Sequence, residues 1–126
     1  MMARFCRYVQ KVFGLGEQVA ALHDQRRQPQ LPTASIWTSV FAMDILRLGS
    51  LHALESELRI PNRLDALTGP RKPSADTIGR VYGLIDPTQQ VGILSHINHR
   101  LGRNKALHSA WPLRFLAVDG HEFFSQ

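Results

Sequence analysis

Asp119 is the residue whose type and setting point most directly to chemistry. It closes "LRFLAVD", a run apolar except for Arg114. That pattern predicts a buried strand over 113–118 carrying a carboxylate at its C-terminal tip. A strand tip holds an oxygen ligand rigidly, and hard divalent cations take oxygen ligands. Asp119–Gly120 is also a hairpin-turn dipeptide. The two readings are compatible, since the dipeptide turns the chain while the carboxylate faces a site. Glu122 follows three residues on, in the turn or a second strand.

The stretch "GPRKPSADTIGRVYGLIDP" offers different chemistry. Ser74 caps a helix there, and a helix N-terminus presents backbone N–H groups to phosphate. Arg71 and Lys72 precede that start, and Thr77 and Arg80 lie within the first turns. A short helix after a tight turn also suits a helix-turn-helix reader. The plainer reading of the same residues is a solvated loop before an ordinary core helix. His96 and His99 have metal-ligand spacing on one helix, but no acid or Cys stands near in sequence to complete a set. They read more plainly as surface or core-edge histidines. Gly14-Leu15-Gly16 lacks the preceding strand and the Lys of a phosphate loop. A nucleophilic triad is defined by geometry and cannot be argued from the sequence.

Composition narrows the class. The chain has 126 residues, 44% hydrophobic and 20% charged, which suits one globular domain with a real core. Its net charge of +5 favours a polyanionic partner, with nucleic acid ahead of a membrane surface. Twelve of the fifteen cations are Arg, the side chain suited to bidentate phosphate contact. A GC-rich genome would produce the same excess. Cys6 is the single cysteine, which excludes an internal disulfide and a cysteine zinc knuckle. It fits a reducing, cytoplasmic setting. "IWTSVFAMDIL" is too short to span a membrane and contains Asp44. The basic start "MMARFCRYVQKVF" lacks the apolar core of a secretory signal and reads as an ordinary helix.

These residues need elements to position them. Periodicity predicts a first helix from about Arg4 to His23, interrupted near Gly14 and Gly16. "DQRRQPQLPT" is a polar connector. A second helix follows with Ile36, Val40, Phe41, Ile45 and Leu48 inward, stopped by Gly49. Ser50 caps a third, with Leu51, Leu54 and Leu58 inward. One helical turn is expected near Leu64. Ser74 caps a fourth helix carrying Ile78, Val81, Tyr82 and Ile85. Asp86 and Pro87 start a fifth, with Val91, Leu94, Ile97 and Leu101 inward. The expected class is mainly α: about five helices over 1–110, then the first strand of another unit over 111–126.

Taken in order, "DQRRQPQLP", "PSADTIGRVYGLIDP", "RLGRNKAL" and "LRFLAVDGHE" resemble the N-terminal part of bacterial insertion-sequence DDE transposases. The similarity runs from about His23 onward. It implies a helical, DNA-binding lead-in followed by the first strand of a ribonuclease-H-like catalytic domain. Asp119 then matches the first of three catalytic acids that hold Mg2+ or Mn2+ in that family. The second Asp and the Glu are not in these residues, and one carboxylate cannot hold two cations about 4 Å apart. The expectation is an N-terminal piece of a mobile-element enzyme, inactive by itself, that binds the element's DNA ends. Phosphate contacts are expected at Arg26, Arg27, Arg71, Lys72, Arg80, Arg103 and Lys105, and base contacts at Thr77 and Arg80. The unpaired strand must dock on the helices or pair with another copy. A free-standing helical DNA-binding regulator is the alternative.

Overall fold

The computed structural model describes residues 2–105. The expected strand 113–118, Asp119 and the unit over 111–126 lie outside the described residues. Among those described there are seven helices and no strand: α1 (Met2–Phe13), α2 (Leu15–Ala20), α3 (Thr33–Ile45), α4 (Leu51–Arg59), α5 (Asp65–Thr68), α6 (Ala75–Tyr82) and α7 (Pro87–Arg103). Seven stand where five were expected because the first segment is two helices and the turn after Leu64 forms α5. Gly14 makes the first break. Its φ of 60° is left-handed, a conformation open to glycine, and its N–H still reaches the Gln10 carbonyl at 2.9 Å. The Gln10 side chain then accepts from the Gly16 N–H at 2.7 Å and covers an orphan donor of α2.

Three helix starts follow their local signals. Ser50 accepts from the Ala53 N–H at 3.1 Å and Ser74 from Thr77 at 3.3 Å. Asp86 accepts from Thr88 at 2.9 Å, with Pro87 in the first turn. The end of α3 departs from expectation. The stop expected at Gly49 comes two residues earlier, at Arg47, whose φ of 53° is left-handed. Leu48 N–H reaches the Met43 carbonyl at 3.0 Å, and Arg47 N–H reaches Asp44 at 3.1 Å. This is a Schellman closure made with Arg in place of Gly. Met43 and Leu48, the two ends of that closure, both pack on the core.

α3 is the central wall. Ile36, Val40 and Met43 face one core cluster, built with Leu54, Leu58, Leu64, Ile78 and Val81 from α4 to α6. Ala34, Trp37 and Phe41 face a second, built on Leu15, Val19, Leu22, Ile85 and Ile93. Packing on several sides explains why α3 is apolar nearly all round. Its deepest row is Thr33, Ile36, Ser39 and Ala42; Ile36 fills the core, while the smaller Thr33, Ser39 and Ala42 leave room for neighbours to approach closely. The Ser39 hydroxyl is satisfied by donating to the Ser35 carbonyl at 2.7 Å. A three-residue spacing falls short of 3.6 per turn, so the row winds around the helix. Ile45, expected inward, therefore ends 37% exposed. Gly79 lets α4 meet α6: a Cβ there would lie 3.1 Å from the Leu51 Cδ1.

The expected inner face of α7 is corrected. Val91 and Leu94 are 60% and 57% exposed, while Ile93 is buried. Two polar residues set this rotation. Gln89 brackets the His23 backbone, accepting from its N–H at 3.1 Å and donating to its carbonyl at 3.0 Å. Gln90 accepts from the Tyr82 hydroxyl at 2.7 Å. With both glutamines turned in, Ile93 and Ile97 follow them one and two turns later.

Candidate nucleic-acid interface

The two basic segments singled out above are distant in sequence and adjacent in space. Arg71 Nη1 donates to the Gln30 carbonyl at 2.7 Å, joining the 69–74 loop to the 24–32 connector. The connector holds its shape through Asp24, whose side chain is 1% exposed. Its carboxylate accepts from the Arg26 N–H at 2.9 Å and from the Arg26 guanidinium at 2.9 and 2.7 Å. The Thr33 hydroxyl adds a fourth bond at 2.8 Å. Arg26, first among these partners, holds the Asp24 carboxyl well below the usual carboxylate range.

This geometry sorts the expected contacts. The Arg26 guanidinium is engaged by Asp24 and, at 2.9 Å, by the Leu31 carbonyl, so it shapes the connector and its charge is offset. Lys72 pairs with Asp65 and is likewise offset. Arg27, Arg71 and Arg80 are exposed and outside the ion pairs found among the described residues. Arg27 lies three residues before Gln30, on the connector that Arg71 holds. Arg80 sits on α6, which that loop leads into. Arg103 and Lys105 are exposed at the far end of α7, about 21 Å along its axis from Gln89. No hydrogen bond or ion pair among the described residues ties them to the 69–74 loop.

The start of α6 is not an open anion site. Glu55 of α4 accepts from the Ala75 N–H at 2.9 Å, and that bond, first among several causes, lowers its pKa. Ser74 takes the Thr77 N–H, its hydroxyl lies 2.9 Å from the Thr77 hydroxyl, and Asp76 adds a second negative charge. A phosphate would meet two carboxylates there, so Thr77 is a cap partner before it is a base reader. With α6 as the second helix, the connection from α4 is too long for a helix-turn-helix. α4 packs on α6, yet 15 residues containing α5 separate them, against the three or four of that motif. Sequence reasoning missed Glu55, because no local signal links it to a helix 20 residues away.

Other chemistry finds little support. His96 Nε2 lies 2.7 Å from the Phe13 carbonyl and so donates to it, tying α7 to α1. Among the described residues no group of three or more His, Cys, Asp or Glu is placed to hold a metal. A cleft of about 560 Å³ lies between α1, α2, α3 and α5, with no carboxylate or imidazole in its wall. Cys6 lines it, and burial pushes that thiol up, away from the reactive thiolate. No helix among the described residues is long and apolar enough to cross a membrane. Comparison with family models, curated proteins and solved structures finds no match to this chain.

Proposed function

We propose that this helical unit binds DNA through Arg27, Arg71 and Arg80, as the N-terminal region of a DDE-type transposase. The supporting observation is the Arg71–Gln30 bond, which brings two basic segments 41 residues apart onto one side. Exposed guanidinium groups suit bidentate phosphate contact, and among the described residues no ion pair offsets their charge. Asp24 and its partners make the connector a fixed platform, so little order need be gained on binding. The transposase reading rests on the ordered sequence resemblance. In it, Asp119 is the first metal-holding acid of a ribonuclease-H-like domain, and Mg2+ or Mn2+ would require two further acids to act.

Fluorescence anisotropy with duplexes carrying candidate element ends tests the binding. With about three phosphates neutralised, log affinity should fall with log salt at a slope near −3. Arg71→Ala should make the slope shallower by about one, whereas Lys72→Ala, already paired, should barely change it. Binding indifferent to salt would overturn the interface. Nicking assays test the catalytic role. The 126 residues should not cleave in Mg2+ or Mn2+, and Asp119→Asn should leave their DNA affinity nearly unchanged. Metal-dependent cleavage lost in that variant would defeat the expectation of one acid among three.

A further inference from the structure

The first helix presents a second charged surface that the interface above does not use. Arg4, Arg7 and Lys11 recur at i, i+3 and i+7, so they share one face of α1, and all three are exposed. No acidic residue lies anywhere in the helix. Arg7 Nε reaches back to the Ala3 carbonyl at 3.4 Å, and the two terminal nitrogens of its guanidinium have no hydrogen-bond partner among the described residues. Beside them Tyr8 is 60% exposed, unusual for so large a ring. It is also held in place. Phe13 meets it edge-on, ring centroids 6.4 Å apart and planes at 81°. The cations cover about 10 Å of helix, a span that successive phosphates of one strand can follow.

We propose that this face binds single-stranded nucleic acid, with phosphates on Arg4, Arg7 and Lys11 and an unpaired base stacked on Tyr8. Cations interleaved with an ordered, outward aromatic ring are what strand-tracking surfaces use, since every base has a face to stack. A duplex offers phosphates but no open base face, so Tyr8 should favour unpaired strands. A membrane fits the same charges less well. An interfacial helix must bury its apolar side in lipid. Here that side is already occupied: Phe5 stacks on Phe41 at 6.4 Å, Val9 packs on the second core cluster and Met2 on the first. α7, whose last turn carries Arg100 and Arg103, packs against α1 and adds positive potential nearby. The inference rests on reading the chain as a nucleic-acid binder, and it assigns a second surface with a different preference.

The test uses the whole chain, a labelled single-stranded 20-mer and its duplex, with urea midpoints confirming that each variant folds. Tyr8→Ala should weaken single-strand binding roughly tenfold, within the range for one base–aromatic stack, and change duplex binding less than about twofold. Tyr8→Phe should retain the affinity. Replacing Arg4, Arg7 and Lys11 together with Ala should make the single-strand salt slope shallower by about two. Replacing Arg27, Arg71 and Arg80 should instead weaken the duplex. If the α1 variants match wild type while those loop variants lose duplex binding, this inference falls and the proposed interface stands. Binding of neither oligonucleotide by wild type would sink both. Capture by phosphatidylserine vesicles without oligonucleotide binding would assign α1 to lipid and overturn the proposal.

Discussion

Asp24→Ala should be among the most damaging single changes in the connector. The carboxylate accepts four hydrogen bonds, three of them from Arg26. Removing it leaves the Arg26 guanidinium, 23% exposed, with the Leu31 carbonyl alone, and orphans the Thr33 hydroxyl. Breaking a buried pair costs about 3–5 kcal/mol, and the partial exposure of Arg26 places this case near 3 kcal/mol. At a urea slope of about 1–3 kcal/mol per molar, the midpoint should fall by roughly 1–3 M. Asp24→Ala with Arg26→Ala should cost less than the two single changes summed, because no charge is left without its partner. The pH dependence gives a second reading. Asp24 titrates lower in the folded state than unfolded, so its stabilisation is present above the unfolded value of about 3.9. It is lost as pH falls through the lower folded value. The gap between wild type and Asp24→Asn should hold from about pH 8 to 5 and narrow below about pH 4. An unchanged midpoint in Asp24→Ala, or a gap that stays constant to about pH 3, would refute the network's role.

Ser74→Ala should destabilise α6 by about 1 kcal/mol, read as a lower urea midpoint. Because Glu55 also holds the start of α6, the helix should survive with its circular dichroism nearly intact. On α7, Ile93→Ala should cost about 2–5 kcal/mol and Val91→Ala under about 0.5 kcal/mol, the reverse of what apolar periodicity suggests. Equal costs, measured by the same titration, would mean that the helix is rotated from the orientation set by Gln89 and Gln90.

Much of the fold was legible because its signals are local. Ser50, Ser74 and Asp86–Pro87 mark helix starts with side chains that reach two or three residues, and the structure uses each one. Leu54, Leu58, Ile78 and Val81 fall on core faces as their spacing predicts. The errors fall where a distant partner decides. The rotation of α7 depends on His23, 66 residues before Gln89. The α3 stop depends on a Schellman closure that Arg47 makes without the glycine that usually announces it. At the candidate interface, residue type showed which side chains could meet phosphate. It could not show that Asp24 and Asp65 already engage Arg26 and Lys72, or that Glu55 covers the helix start. Asp119 stands outside the described residues, and its role is carried by sequence alone.

The division of the core between two clusters bears on how the molecule comes apart. α3 forms a wall of both, and Tyr82 packs on both while its hydroxyl holds Gln90 of the last helix. Neither cluster can melt without stripping one side of α3 and one side of that ring. Partial opening therefore exposes apolar surface in the half left behind, and intermediate states are penalised. Helices α1 to α7 should behave as one cooperative unit, with the amides of α3 exchanging only through global unfolding.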